Sequence, residues 1–264
     1  MSRRKIGTAL GLVAPFLVLR DARAGETTMA EPVIEENITD IDGREHPTIE
    51  FDLTPGVFHA MHTSAGFWRV GLESEWRPVD RVGVGLELDT LGALDDAKAV
   101  GAVHFVPRGA LSYVVLRDFE SQVFLQFEAG GRFDNGSALA LADPTEFAQP
   151  YWAGVREAMK LGPLDLRAAA FGEGGGTSAH APVRATAAAL YSVVGTSARG
   201  AFGAELLADW SRESPFVVAP EAQLVVHALG FPVRLEVAVP VTVGAKGNDA
   251  AYGLAFRFVL EPNE

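Results

Sequence analysis

The chain closes on AYGLAFRFVLEPNE, residues 251–264, and its first ten residues alternate between two kinds of side chain. Successive side chains of an extended strand point to opposite faces. One face of this strand is therefore apolar and consists of Tyr252, Leu254, Phe256, Phe258 and Leu260, whereas the other carries small residues, Val259 and Arg257. Chain termini usually fray unless they are docked. The stretch predicts a strand whose apolar face is covered by a second sheet or by lipid.

The same two-residue period recurs upstream. It is clear in GFWRVGLESEW (66–76), RVGVGLELD (81–89), SQVFLQFEAGGRF (121–133) and FPVRLEVAVPV (231–241), and such alternation is typical of strands with one polar and one apolar face. Twelve strands are predicted in total, over residues 48–58, 66–76, 81–90, 108–117, 120–133, 151–161, 164–172, 183–194, 201–211, 215–227, 232–243 and 250–260.

The connections between these strands alternate in length. RPVD (77–80), RDFE (117–120) and LGPL (161–164) are short, whereas residues 91–107, 134–150 and 173–182 form longer connections. Short turns at one rim and longer loops at the other are typical of outer-membrane barrels, and strands of about 9–11 residues are long enough to cross a bilayer when tilted. The pattern predicts an all-β fold, an antiparallel up-and-down transmembrane β-barrel of about 12 strands with both termini in the periplasm.

Aromatic residues lie near many of the predicted strand ends, where they are expected to form the two interfacial girdles of such a barrel. They are Phe58, Trp76, Phe133, Tyr151, Trp152, Tyr191, Trp210, Phe216, Phe231 and Tyr252.

The N-terminal segment has the three parts of a secretory signal peptide. MSRRK is positively charged, IGTALGLVAPFLVL is apolar, and Ala22-Arg23-Ala24 matches a small-residue cleavage site. A membrane anchor or a buried helix is the alternative interpretation, although the apolar run is short for a spanning helix. We expect residues 1–24 to be a cleaved signal peptide, residues 25–46 an acidic periplasmic tail, and residues 47–264 the barrel, in the outer membrane of a Gram-negative bacterium.

Charge and cysteine content exclude several classes of function. The formal net charge is −12, and removal of residues 1–24 takes away five basic residues and one acidic residue. An acidic chain is a poor partner for nucleic acid. Because the sequence contains no cysteine, disulfides, thiol catalysis and Cys–zinc sites are excluded.

Several segments resemble bacterial outer-membrane β-barrels. They are TIEFDLTPGVF (48–58), GFWRVGLESEWRP (66–78), PEAQLVV (220–226), FPVRLEVAVPVTVG (231–244) and AAYGLAFRFVLE (250–261). The pattern is similar to that of the transporter-like barrels linked to meta-pathway phenol degradation. The resemblance implies outer-membrane lipid and the barrel-assembly machinery as partners, and it implies no catalytic residues. Barrels of this kind commonly end on an aromatic residue, whereas six residues follow Phe258 here.

Motifs for chemistry are weak. GEGGGTSAH (172–180) lacks the Lys of a phosphate-binding loop, and DIDGREH (40–46) lacks the later ligands of a calcium loop, so calcium binding there is a minor alternative. His59 and His62 are three residues apart and point to opposite faces of a strand. No Gly-x-Ser-x-Gly elbow occurs, and a hydrolase is a minor hypothesis. We therefore expect no enzyme activity, no cofactor and no metal site.

Charged and polar side chains that share the face opposite to the apolar one are predicted to line the lumen. They are Arg69, Glu73, Glu75, Arg81, Glu87, Asp89, Gln126, Glu128, Arg132, Arg234, Glu236 and Arg257, joined by Arg156, Asp165, Arg167, Arg184 and Glu205. An Arg or Lys facing mid-depth lipid costs about 2–4 kcal/mol, which explains the strict alternation.

Two roles fit such a lumen. It is either a polar, mixed-charge path that passes or binds a small, unidentified solute, or a salt-bridged filling of a structural or assembly barrel. Inner glycines and alanines such as Gly71, Gly130 and Ala255 leave space and favour the path. A third alternative is a soluble exported β-sandwich or ligand-binding barrel, which would place charge on its outer faces.

Overall fold

The structure is a computed structural model. It describes residues 49–60, 66–79, 81–94, 103–118, 121–133, 147, 150–175, 183–194, 199–210, 216–228, 231–243 and 251–260. The predicted signal peptide and acidic tail lie outside these residues, so their assignment stays a prediction.

Thirteen strands account for nearly all described residues. They are β1 (Ile49–Ala60), β2 (Gly66–Val79), β3 (Val82–Ala93), β4 (His104–Asp118), β5 (Val123–Arg132), β6 (Tyr151–Leu161), β7 (Leu164–Gly174), β8 (Val183–Val194), β9 (Arg199–Asp209), β10 (Phe216–Ala228), β11 (Phe231–Ala238), β12 (Val241–Val243) and β13 (Ala251–Leu260). Strands β1 to β11 pair antiparallel with their neighbours in chain order, β11 and β12 each pair with β13, and β1 pairs with β13. The sheet is therefore closed.

The penultimate strand of the barrel is interrupted once. Both β11 and β12 pair with β10 on one side and with β13 on the other, and only Val239 and Pro240 separate them. Hydrogen bonds from Val239 N to Pro220 O (3.0 Å) and from Gly253 N to Pro240 O (2.9 Å) bridge the gap. β11 and β12 thus act as one strand, and the predicted twelve-stranded all-β barrel is confirmed.

Exposure alternates along the strands with the predicted period. On β3, Leu86 is 60% exposed whereas its neighbour Glu87 is 5% exposed. The outward face is largely apolar, as shown by Leu53, Leu72, Leu88, Leu111, Tyr113, Phe127, Phe202, Leu224, Leu254 and Phe256; Glu157 on β6 is a charged exception. A soluble barrel has the opposite arrangement, and an apolar outside around a polar inside is typical of transmembrane barrels.

Local backbone chemistry sets the turns at one rim. Gly162 has a φ of 62° in the turn between β6 and β7, a conformation in which glycine has no steric penalty. Gln122 has a φ of 53° in the turn between β4 and β5. That turn is supported by Asp118, whose Oδ1 accepts a hydrogen bond from Ser121 N at 3.2 Å.

None of the described elements is a helix with the length and hydropathy needed to cross a bilayer.

Candidate functional site

Most of the side chains predicted to face the lumen are buried in the barrel. Ten of the twelve are buried, namely Arg69, Glu75, Glu87, Asp89, Gln126, Glu128, Arg132, Arg234, Glu236 and Arg257. Glu73 is partly buried on the same face of β2. Arg156, Asp165, Arg167, Arg184 and Glu205 are buried as well.

The structure does not place Arg81 in the lumen, contrary to the prediction. It was expected to line the lumen at the start of a strand, but β2 continues to Val79 and β3 begins only at Val82. Arg81 lies exposed in the turn between them, and its guanidinium donates hydrogen bonds to Val114 O at 3.3 Å and Val115 O at 3.0 Å.

The same misplaced strand boundary affects Arg77, in the opposite direction. It was assigned to a turn, yet it is 2% exposed and its Nε donates to Glu75 Oε1 at 2.9 Å. Inward-facing side chains of β2 have odd residue numbers, as in Arg69, Glu73 and Glu75. Arg77 fits this pattern once the predicted strand is extended by three residues. Other inward residues that the sequence analysis missed are Asp52, Arg108, Glu173, Asp209, Glu221 and Gln223.

Four charges from three adjacent strands form a closed network, here called the quartet (Arg69, Glu87, Asp89 and Arg108). Arg69 donates from Nε to Asp89 Oδ1 at 2.8 Å and from Nη2 to Glu87 Oε1 at 3.0 Å. Arg108 donates from Nη1 to Glu87 Oε2 at 3.0 Å and also pairs with Asp89. Each carboxylate therefore contacts two guanidinium groups, which balances charge that is hidden from solvent.

A second cluster, the seam cluster, lies where the last strand meets the first. Arg257 Nε donates to Asp52 Oδ2 at 2.6 Å. Glu236 Oε2 lies 3.9 Å from Arg257 Nη1, and Glu236 Oε1 lies 3.6 Å from Arg234 Nη1. The seam cluster links β11, β13 and β1 by charge across the closure of the sheet.

A third cluster joins β5 and β6. Arg156 donates from Nε to Glu128 Oε2 at 2.8 Å and from Nη2 to Glu128 Oε1 at 3.2 Å. The indole N–H of Trp152 donates to the same Oε1 at 3.0 Å. Trp152 was predicted to lie in an interfacial girdle, but it is 3% exposed and packs inside. Phe58, assigned to the same girdle, is also buried and stacks on Phe67 with ring centroids 5.0 Å apart.

Two of the inner glycines, Gly71 and Gly130, do not leave open space, contrary to the expectation from sequence. A Cβ at Gly71 would lie 2.7 Å from Asp89 Oδ1 and 3.0 Å from Glu87 Oε1. A Cβ at Gly130 would collide with the Trp152 ring, whose Cε2 would be 2.5 Å away. Glycine at these positions makes room for a neighbouring polar or aromatic side chain.

One aromatic residue from a connection joins this inner surface. Phe147 lies between β5 and β6 in sequence and is buried. It packs with Trp152 and Phe171 beside the third cluster. Ion pairs and aromatic rings of the described residues thus lie on the inner side of the barrel at several levels.

Among the described residues no group of three or more His, Asp or Glu is arranged to hold a metal ion. The arrangement offers guanidinium donors, carboxylate acceptors and aromatic faces, which bind polar and aromatic molecules without covalent chemistry.

Comparison with known proteins identifies the fold. No family model matches the sequence, and no curated protein matches it. Among solved structures the chain is similar to the NanC porin, with a TM-score of 0.51 and 11% identity over 79% of this chain and 97% of that one. It shows weaker likeness to an outer-membrane channel from Pseudomonas putida F1 (TM-score 0.47, 12% identity, 81% and 94% of the two chains). It also resembles outer membrane phospholipase A from Escherichia coli (TM-score 0.45, 12% identity, 86% and 96%).

The chain therefore has the fold of an outer-membrane β-barrel. The specific resemblance to barrels linked to phenol degradation finds no family match and stays a hypothesis.

Proposed function

We propose that the protein is a porin-like barrel of the outer membrane of a Gram-negative bacterium, and that a small solute binds in or passes through its polar, mixed-charge lumen. The observation that carries the proposal is the separation of an apolar outward face from a charged inward face in a closed sheet. Apolar side chains such as Leu86 and Leu88 face outward, while Glu87 and Asp89, which alternate with them along β3, are buried inside. Charged side chains that face the lumen can recognise polar solutes. Lipid then contacts mainly the apolar side chains on the outside of the barrel.

The ion pairs inside the barrel also affect conductance when no solute is bound. The quartet is paired within the barrel at 2.8–3.0 Å in three of its four contacts, so a solute must displace part of this network. We expect a low resting conductance, since paired inner side chains take up part of the cross-section of a twelve-stranded barrel.

Single-channel recording in planar bilayers tests the proposal. We expect small discrete steps for the unaltered protein and larger steps for Arg108→Ala, which removes one guanidinium from the quartet. Leu88→Ala changes an outward neighbour of the same pair of carboxylates and should leave the step size unchanged. A folded barrel that gives no steps in any of the three forms would contradict passage through the lumen.

A structural or assembly barrel with a filled lumen is the second candidate, and the burial of the inner charges favours it. In that case loosening the quartet lowers stability without opening a path, so Arg108→Ala would unfold more easily and still conduct nothing.

A further inference from the structure

The ring of Phe147 is held inside the barrel in the manner of a bound ligand. It stacks on Trp152 with ring centroids 4.5 Å apart and planes within 5°. Phe171 meets it edge-on, with centroids 5.3 Å apart and planes at 90°. The guanidinium carbon of Arg184 lies 4.3 Å from the centroid of the Phe147 ring, well within the range of a cation–π contact.

The backbone carbonyl of the same residue is also recognised. Arg132 Nη1 donates a hydrogen bond to Phe147 O at 2.8 Å. The group that the barrel holds is therefore an aromatic ring joined to a carbonyl group through two carbon atoms. That outline is shared by 3-phenylpropanoate, whose carboxylate would accept a stronger, charge-assisted hydrogen bond from arginine than a peptide carbonyl does.

The walls of this site belong to strands and have partners of their own. Trp152 is fixed by its indole hydrogen bond to Glu128, and the Arg156 guanidinium lies 4.9 Å from the centroid of the Phe171 ring while it pairs with Glu128. Gly130 lies against the Trp152 ring, where a Cβ would not fit. The two aromatic walls, Trp152 and Phe171, are thus held in place by contacts that do not involve Phe147, and such preorganisation favours binding.

We propose that Arg132, Trp152, Phe171 and Arg184 form a binding site for aryl carboxylates, and that Phe147 occupies this site when no solute is present. The inference rests on the proposed function, because it names the class of solute for the same lumen. An incoming aryl carboxylate replaces the Phe147 ring on Trp152 and its carbonyl on Arg132, so binding competes with the chain's own side chain.

The test measures binding of 3-phenylpropanoate to the purified, folded protein in detergent by calorimetry, with the Trp152 indole N–H signal in NMR as a local reporter. Phe147→Ala removes the internal competitor. We expect this variant to bind the probe about tenfold more tightly than the unaltered protein, since occupancy by a competitor weakens apparent affinity in proportion to the fraction of free site.

Two matched probes separate recognition from simple filling of a cavity. In the Phe147→Ala protein, 3-cyclohexylpropanoate lacks the ring faces and 3-phenylpropanamide lacks the charge. Each should bind more weakly than 3-phenylpropanoate, by a few-fold to about tenfold. Adding Arg132→Gln should abolish the preference for the carboxylate over the amide and leave the preference for the phenyl ring over the cyclohexyl ring.

Equal binding of the phenyl and cyclohexyl acids, or no binding to a folded Phe147→Ala barrel, would overturn the inference. If Phe147→Ala does not fold, Phe147→Leu provides the same comparison with a smaller loss of packing. Binding without conductance would sink the proposed transport and leave this site standing, whereas conductance without binding would do the reverse.

Discussion

Arg257 donates a hydrogen bond to Asp52 at 2.6 Å and thereby joins the last strand of the barrel to the first. The two residues are 205 positions apart in sequence, and both are buried. Backbone pairing between β1 and β13 closes the same seam, from Phe51 opposite Leu260 to Ala60 opposite Ala251. This buried ion pair adds a side-chain link to the backbone pairing that closes the barrel. Because the sheet is closed, every inward-facing side chain lies in the interior of the barrel.

Removal of one partner at the seam should destabilise the barrel. Asp52→Ala leaves Arg257 buried with Glu236 as its more distant acid, 3.9 Å away, and breaking a buried pair costs about 3 kcal/mol. We expect Asp52→Ala to unfold at clearly lower urea concentration in lipid vesicles. The double variant Asp52→Leu with Arg257→Met should recover part of the loss, because neither member of this pair is left behind, while Glu236 loses its contact with Arg257. Equal, additive losses in a double-mutant cycle would show that the pair is not coupled.

The quartet should set ion selectivity. Arg69→Gln with Arg108→Gln leaves Glu87 and Asp89 without their guanidinium partners, and fixed charge in a narrow lumen concentrates ions of opposite sign. We expect the reversal potential in a salt gradient to move towards cation selectivity, and Glu87→Gln with Asp89→Asn to move it the other way. Leu86→Gln, which changes an outward position, serves as the control. An unchanged reversal potential in both double variants would remove the quartet from the ion path.

Crowding at one inner glycine gives a prediction about packing. A Cβ at Gly203 would meet the Ala189 carbonyl oxygen and would lie 2.9 Å from the Leu190 Cα, so backbone has to shift. Gly203→Ala should lower the free energy of unfolding by about 1–3 kcal/mol. Gly172→Ala is the matched control, since its nearest atom would be Ala153 O at 3.9 Å. Equal stability of the two variants in urea would count against the tight approach of β8 and β9.

The apolar outside should tolerate charge according to depth. Leu86 is 60% exposed in the middle of β3, and Val79 is 56% exposed at the end of β2 beside a turn. Leu86→Arg should cost about 2–4 kcal/mol in a bilayer, and Val79→Arg about 0–1 kcal/mol. Unfolding in vesicles followed by tryptophan fluorescence measures both costs. If the two substitutions cost the same, the outer face of β3 does not lie in hydrocarbon.

The strands and their faces could be read from the sequence because the two-residue period is long and regular in stretches such as 81–89 and 251–260. Parity assigns a side chain correctly only while the strand boundaries are right. The boundary between β2 and β3 was misplaced by about three residues, and this put Arg77 in a turn and Arg81 in the lumen, the reverse of what the structure has. The sequence therefore predicts the strands correctly, whereas it misplaces residues next to turns.

Features that depend on contacts distant in sequence were not accessible. Trp152 lies near a strand end, which suggests an interfacial girdle, but its indole N–H donates to Glu128 on the adjacent strand β5. The space that Gly130 seemed to leave is filled by that same ring. Phe147 belongs to a connection with no period at all, and only the arrangement of Trp152, Phe171 and Arg184 around it reveals a site.

The central claim is a closed barrel with an apolar belt in the outer membrane, and gel mobility with and without boiling tests it most directly. The protein is extracted from the outer-membrane fraction and run in both states. Because every strand of the closed sheet is hydrogen-bonded on both sides, we expect the unheated barrel to stay folded in detergent, so the unboiled sample should migrate faster and boiling should abolish the difference. A single band of unchanged mobility, together with recovery of the protein in the soluble periplasmic fraction, would contradict the account.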